Sequence, residues 1–254
     1  SVSEYAFKSN FFNPNIFTEY SLETKRGHHM KFMAGFQSEL FKRRDMNARQ
    51  DGIIAGLPTL NTTTTNAQVS GGYAEWATVG FFGRVNYDYK ERYLLEANVR
   101  YDGTSRFLRN KRWNVFPSFS AGWNVAREAF FEPYSQIVNT LKIRGSWGEL
   151  GNQNTDNWYP FYRIVNYRPS SGGWVVNGQK PNTSSEGKLV SALLGWEKTQ
   201  TLDLGFDLGL FENRLNLNFD YFQRKSIDMV GPGQELPTIL GIAVPNVNNL
   251  NMTS

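Results

Sequence analysis

Apolar and polar residues alternate with a period of two along much of the chain, most sharply over residues 93–102. Tyr93, Leu95, Ala97, Val99 and Tyr101 fall on one side of an extended chain. Leu94, Glu96, Asn98, Arg100 and Asp102 fall on the other. A helix would scatter both sets around its axis, so the pattern predicts a strand with one apolar and one polar face. Residues 195–211 repeat it, with Leu202, Leu204, Phe206, Leu208 and Leu210 opposite Asp203, Gly205, Asp207 and Gly209. In residues 214–229, Leu215, Leu217, Phe219 and Tyr221 oppose Asn216, Asn218 and Asp220. Weaker alternation marks strands at about 16–25, 29–41, 73–89, 113–125 and 141–150. Pro117 lacks an N–H and signals a bulge or an unpaired position within its strand. The count is eight strands, or nine to ten if 159–167 is included.

The connections between strands are unequal. Turns around Arg26-Gly27, Lys90-Glu91-Arg92 and Glu212-Asn213 are tight, whereas 42–72, 102–113, 151–194 and 231 onward are long and polar. If every strand reverses direction, the tight turns share one end and the long loops the other, as in outer-membrane barrels. Residues 127–140 form a longer connection on the short side and are expected to hold a helical turn. Tyr93 and Tyr101 share a face; at ~3.3 Å per residue and ~40° of tilt they stand roughly 20 Å apart along a membrane normal. That approaches the ~25 Å between aromatic girdles. Tyr87, Tyr89 and Trp123 are then expected at the short-turn rim, Trp147 and Tyr221 nearer the loop rim. A sandwich alternates too, so a surface-exposed lectin-like binding or adhesion module stays open beside the barrel. Long strands and one-sided loops favour the barrel.

Composition permits both classes: 40% of residues are hydrophobic, 20% charged and 15% aromatic. No run of ~18 apolar residues exists, which removes a membrane helix but not a barrel, whose strands need only ~10 alternating residues. The first residues, SVSEYAFKSN, lack the basic and apolar regions of a signal peptide. With Cys at 0, disulfides and thiolate chemistry are ruled out. The net charge of +4 is small, and the cluster Lys42-Arg43-Arg44 reads as a solvated loop rather than a nucleic-acid patch.

Catalytic chemistry is poorly supported, and no enzyme activity, cofactor or metal site is expected. The 2 histidines, His28 and His29, are adjacent, so on a strand they point to opposite faces. No nucleophile elbow, phosphate loop, dinucleotide fingerprint or zinc-protease motif occurs. Asp203 and Asp207 share a face but sit roughly 13 Å apart, too far for a paired acid and base. Asn152 to Asn157 lacks calcium-loop spacing and reads as a polar loop. Loop aromatics Trp158, Tyr159, Tyr162 and Trp174 are the better ligand candidates, because aromatic rings stack on the C–H faces of sugars. Glu96, Asn98, Arg100, Asp203, Asp207, Asn216, Asn218 and Asp220 are expected to line a lumen and hydrogen-bond a plug.

Three blocks carry a family resemblance: GFFGRVNYDYKERYLLEANVRYDGTSRF at 80–107, FPSFSAGWNVAREAFF with LKIRGSWGELGNQN at 116–131 and 141–154, and LGWEKTQTLDLGFDLGLFENRLNLNFDYFQRKSIDMV at 194–230. In this order they resemble the barrel of SusC/RagA-type TonB-dependent outer-membrane transporters of Bacteroidetes. The resemblance implies an all-β fold: a section of a large antiparallel transmembrane barrel of about twenty-two strands, with about eight to ten here. It implies a multi-pass outer-membrane location and import of a nutrient, an oligosaccharide first and a peptide second. The implied partners are a SusD-like lipoprotein, outer-membrane lipid and TonB–ExbB–ExbD acting through a plug; no nucleic acid is implied. Nothing resembling a plug, a TonB box or a family-type C-terminal strand occurs, so the chain is read as barrel wall from a longer protein.

Overall fold

A computed structural model of the chain describes residues 1–254 except 55, 156, 188, 236, 238 and 240–243. Twelve strands are described: β1 Val2–Phe12, β2 Asn15–Glu23, β3 His28–Gln50, β4 Gln68–Tyr89, β5 Tyr93–Thr104, β6 Trp113–Asn124, β7 Val138–Asn152, β8 Val165–Arg168, β9 Thr183–Glu186, β10 Glu197–Leu210, β11 Leu215–Pro232 and β12 Asn246–Thr253. Ten of them make one antiparallel sheet in the order β1–β3–β4–β5–β6–β7–β10–β11–β12, with β2 also on β3. The sheet is open. β8 and β9 form a separate hairpin in the long connection between β7 and β10.

Prolines explain two features of the ladders. β1 and β2 continue one register against β3, from Val2↔Gln50 through Phe12↔Leu40 and on from Asn15↔Gln37 to Glu23↔His29. They are physically one strand, interrupted where Pro14 has no N–H to give, although its carbonyl still accepts from Ser38 N at 3.0 Å. In β6 the ladder to β5 passes through Pro117↔Val99, whereas the ladder to β7 stops at Ser118↔Gly148. The missing donor thus sits at the end of a ladder, as expected of a strand proline.

Several strand limits differ from the sequence expectation. β3 runs to Gln50 and β4 starts at Gln68, so Lys42-Arg43-Arg44 lies in a strand and not in a loop. β1 and β12 were not expected at all, and residues 159–167 contribute only β8, outside the main sheet. The other strands begin or end a few residues from the expected bounds, β7 and β11 reaching furthest beyond them. The physical reason is common to these cases. At a rise of ~2.5 Å per tilted residue, roughly ten residues cross a ~25 Å apolar band. A 23-residue strand such as β3 is longer than such a band requires, and the part beyond it would need no alternation.

The turn asymmetry is present as expected. Thr24–Gly27, Lys90–Arg92 and Phe211–Arg214 close tight turns, with Gly27 at φ 81° and Asp88 Oδ1 accepting the Glu91 N–H at 2.7 Å. The connection from β6 to β7 holds two 3₁₀ turns, Val125–Arg127 and Ala129–Tyr134. All long connections lie at the opposite end.

Register sorts the sheet into two faces. Tyr101 pairs with Phe81 and Val115, and Phe81 in turn with Phe36, which pairs with Ile16; all share the apolar face. Yet the apolar row ends above that line at Leu40 on β3, and below it at Trp147, Leu202 and Tyr221 on β7, β10 and β11. The short-turn ends stagger in the same sense. Roughly five to ten residues over six strand-to-strand steps, at ~3.3 Å per residue and ~4.8 Å per strand, give a tilt of about 30–50°. Barrel strands tilt by ~35–45°. His28, Tyr87, Tyr89, Tyr93 and Trp123 gather at the lower edge of this face, with Tyr89 and Tyr93 stacked at 6.3 Å. Tyr101 and Trp113 stack at 4.8 Å at the upper edge, where Trp113 covers the bare backbone of Gly103.

A conventional core is nearly missing from the sheet. Among the described residues, the buried apolar side chains are Val2, Phe107, Phe116, Val125 and Leu194. Phe107 and Phe116 belong to a knot at the long-loop end. Trp196 meets Phe107 and Phe116 edge-on at 5.8 and 5.3 Å, and its Nε1 donates to Arg112 O at 2.8 Å. The knot anchors the loop between β5 and β6 to the start of β10. The sheet itself holds by ladder hydrogen bonds and by an apolar face that some other medium must cover.

Candidate functional site

The residues expected in the lumen fall on one face. Pairing places Glu96 opposite Asn86 and Ser120, Asn98 opposite Arg84 and Ser118, and Asp203 opposite Ser146 and Phe222. Arg100, Asp207, Asn216, Asn218 and Asp220 share this side. Polar side chains here satisfy one another across strands. Arg84 Nε donates to Asn98 Oδ1, Asn98 Nδ2 donates to Glu96 Oε1 at 2.7 Å, and Asn86 Nδ2 donates to Glu96 Oε2. Arg100 holds Asp102 through two hydrogen bonds of 3.0 Å.

Arg144 on β7 is the hub of the face. Its guanidinium reaches Asp220 at 2.7 Å, Asp207 at 3.5 Å and Asp203 at 3.7 Å. Gly205, opposite both Arg144 and Asp220, makes the room: a Cβ there would strike the Asp220 carboxylate and lie 3.1 Å from Arg144 Cζ. One cation among three carboxylates leaves the cluster net anionic. No group of three or more His, Cys, Asp or Glu suited to a metal ion occurs among the described residues.

At the short-turn end a second cluster ties two connections together. Glu128 accepts from Trp123 Nε1 at 3.1 Å and pairs with Arg92 at 3.3 Å. Hydrogen bonds from Tyr93 and then Trp123 hold its carboxyl below the usual glutamate range. Arg127 pairs with Glu91 beside it. The histidines do not form a site: His28 Nδ1 meets Tyr87 OH at 2.9 Å, and His29 faces Glu23 at 3.5 Å from the other side.

At the long-loop end a cavity of about 600 Å³ lies between the β7–β10 connection and the tops of β10, β11 and β12. Asn154, Asn157, Asn166, Asn246, Glu197 and Tyr162 are among its lining residues, as is Tyr159. Glu197 is fixed there by Asn152 Nδ2 at 2.7 Å and by the Val230 N–H at 2.7 Å. The loop aromatics therefore separate. Tyr159 and Tyr162 share the cavity, and Tyr159 OH also bonds Glu75 O on β4. Trp158 packs edge-on against Phe41 at 5.4 Å, and Trp174 is 61% exposed outside the cavity. Sequence reasoning passed over Glu197, Asn166 and Asn246, which lie far apart in the chain; the run NQNTDN was the one local signal.

A family model described as "TonB dependent receptor-like, beta-barrel" matches residues 2–250. The chain belongs to the TonB-dependent receptor β-barrel family. TonB-dependent receptor P3 of Formosa agariphila is 30% identical over 97% of the chain, and TonB-dependent receptor SusC of Bacteroides thetaiotaomicron is 29% identical over 90%. The chain spans 24% of the length of each. The RagAB peptide transporter has the same fold over 99% of the chain and 27% of its own, with a TM-score of 0.85 at 23% identity. The open sheet thus belongs to a TonB-dependent outer-membrane β-barrel. Its register separates an apolar face from a polar one, as in the wall of a membrane barrel. No described helix is long and apolar enough to cross a membrane, and the strands do the crossing.

Proposed function

We propose that this stretch supplies wall and outer mouth to a TonB-dependent importer of oligosaccharides. In this reading the Arg144 cluster and the Glu96–Asn98–Arg84 chain hydrate the interior and hydrogen-bond a plug. TonB–ExbB–ExbD pulls that plug, and a SusD-like surface lipoprotein delivers ligand. The supporting observation is the cavity at the long-loop end. Carboxamides, a held carboxylate and two tyrosines converge there, a donor–acceptor set that suits hydroxyl-rich ligands with apolar C–H faces. Among the described lining residues, Thr155 Oγ1 donates to Asn157 O and Ser191 Oγ accepts the Leu193 N–H, so neither hydroxyl is bonded to a base, which favours transport over catalysis.

The test is uptake by cells carrying the whole protein, with fluorescent oligosaccharides and peptides as alternative cargoes. TonB-dependent uptake of oligosaccharide is expected, with Tyr162→Ala raising the half-saturating concentration about ten-fold, as loss of ~1.4 kcal/mol of stacking would. Uptake of peptides alone would reassign the cargo. Uptake of neither, with TonB and the lipoprotein present, would overturn the proposal.

A further inference from the structure

Just above the apolar band, the outward face of β1, β3 and β4 changes character within one residue step. Phe12, Leu40 and Ala77 form the last apolar row in register. The next outward row is Asn10, Lys42 and Glu75, and the one above it is Lys8, Arg44 and Tyr73. Lys8 and Arg44 are directly opposite across the ladder, where like charges destabilise a strand pair. Among the described residues neither has a carboxylate within ion-pair distance, while Lys42 reaches Glu75 at 3.9 Å. Arg44 is steadied by the Tyr73 ring, 5.9 Å from its Cζ, and Tyr73 OH is held by Glu75 at 2.6 Å. Three cations and one carboxylate leave a surplus of positive charge. Further round the same upper rim one cation is neutralised, Lys198 pairing with Glu149 at 2.9 Å.

We infer that Lys8, Lys42 and Arg44 bind the phosphate monoester of a phosphorylated glycolipid in the outer leaflet. A phosphomonoester carries about −1.5 to −2 charges near neutral pH, matching the surplus. The height fits as well. From Leu22 to Phe12 the outward row of β2 and β1 covers roughly 25 Å at ~2.5 Å per tilted residue, so the cations stand where acyl chains give way to headgroups. Arg44 and the lysines take the phosphate oxygens through charge-assisted hydrogen bonds. Asn10 and the Glu75 carboxylate lie in the row beneath, placed for sugar hydroxyls. Strands pairing further along the edge of β1 leave this face uncovered, because ladders form in the plane of the sheet.

The test uses the full-length transporter, purified in detergent and offered monophosphoryl lipid A, its dephosphorylated form or phosphatidylglycerol, with retained lipid read by native mass spectrometry. Retention of the phosphorylated glycolipid should exceed that of the dephosphorylated form by roughly ten-fold or more. The variant K8Q/K42Q/R44Q should lose that preference, while K198Q keeps it. Gel mobility before and after heating reports whether each barrel has folded; should the triple variant fail, Arg44→Gln alone is read the same way, with roughly three-fold loss. Equal retention of both glycolipids, equal preference in wild type and variant, or phosphatidylglycerol held as tightly as lipid A would each overturn the assignment.

Discussion

Replacing Arg144 by Gln removes the only cation that touches Asp203, Asp207 and Asp220 among the described residues. Asp220 lies directly opposite Gly205, so it is diagonal to both other carboxylates, about 7–8 Å from each. In a water-filled interior each such repulsion is worth about 0.5 kcal/mol, or about 1 kcal/mol for the two. That repulsion is present in the wild type too and sets what Asp220→Asn can relieve; the cost of losing Arg144 is the loss of its three ion pairs. Arg144 is 33% exposed and its partners 27–43%, so they stay near the surface value of ~0–1 kcal/mol each and well below that of a buried pair. Arg144→Gln should therefore cost about 1–3 kcal/mol. Adding Asp220→Asn, which takes away the shared carboxylate, should recover about 1 kcal/mol of it. The assay is urea unfolding of the full-length protein in lipid vesicles, followed by tryptophan fluorescence. Raising NaCl from about 0.02 to 0.5 M should shrink the Arg144→Gln deficit, because exposed charges at this spacing are screened. A variant as stable as wild type at low salt, or a deficit that Asp220→Asn leaves untouched, would refute the electrostatic account.

Two further outcomes follow from clusters outside the membrane. The depressed Glu128 carboxyl contributes stability that is complete above its unfolded pKa and is lost as pH falls through its lower folded value. Hydrogen-exchange protection factors, which take out the intrinsic slowing of amide exchange in acid, should therefore fall in acid for the turns Val125–Arg127 and Ala129–Tyr134 of wild type, while in Glu128→Gln they are low already at neutral pH and change little. At the other end, Phe107 is 1% exposed against Trp196. Phe107→Ala should loosen that knot by about 3–5 kcal/mol, seen as protease cleavage within residues 105–112 and with the strand ladders still protected.

How far the fold could be read in advance depended on where lipid constrains the chain. β5, β10 and β11 alternate because one face must be apolar and the other polar over the band, and both faces were legible residue by residue. The upper half of β3, from Lys42 to Gln50, reads KRRDMNARQ, with no such constraint above the membrane, so it passed for a loop. β1 and β12 escaped for the same reason. Polar partners on one face, such as Glu96 with Asn98, followed from period alone. Arg144 did not stand out, because its three partners come from β10 and β11 and only pairing register brings them together. The cavity was half legible: aromatic content marked Tyr159 and Tyr162, whereas Glu197 looked like an ordinary strand residue and Asn246 like part of a polar connection until the ends of β10, β11 and β12 met the long loop.

The central claim is that the apolar row of each strand faces lipid and the alternate row a wet interior. Spin labels placed one at a time from residue 93 to 102 of the full-length protein in lipid vesicles test it most directly, by comparing collision with oxygen and with a water-soluble nickel chelate. The account predicts a period of two: Leu95, Ala97 and Val99 reached by oxygen, and Glu96, Asn98 and Arg100 by nickel. A profile with no alternation, or nickel access at every position, would contradict it.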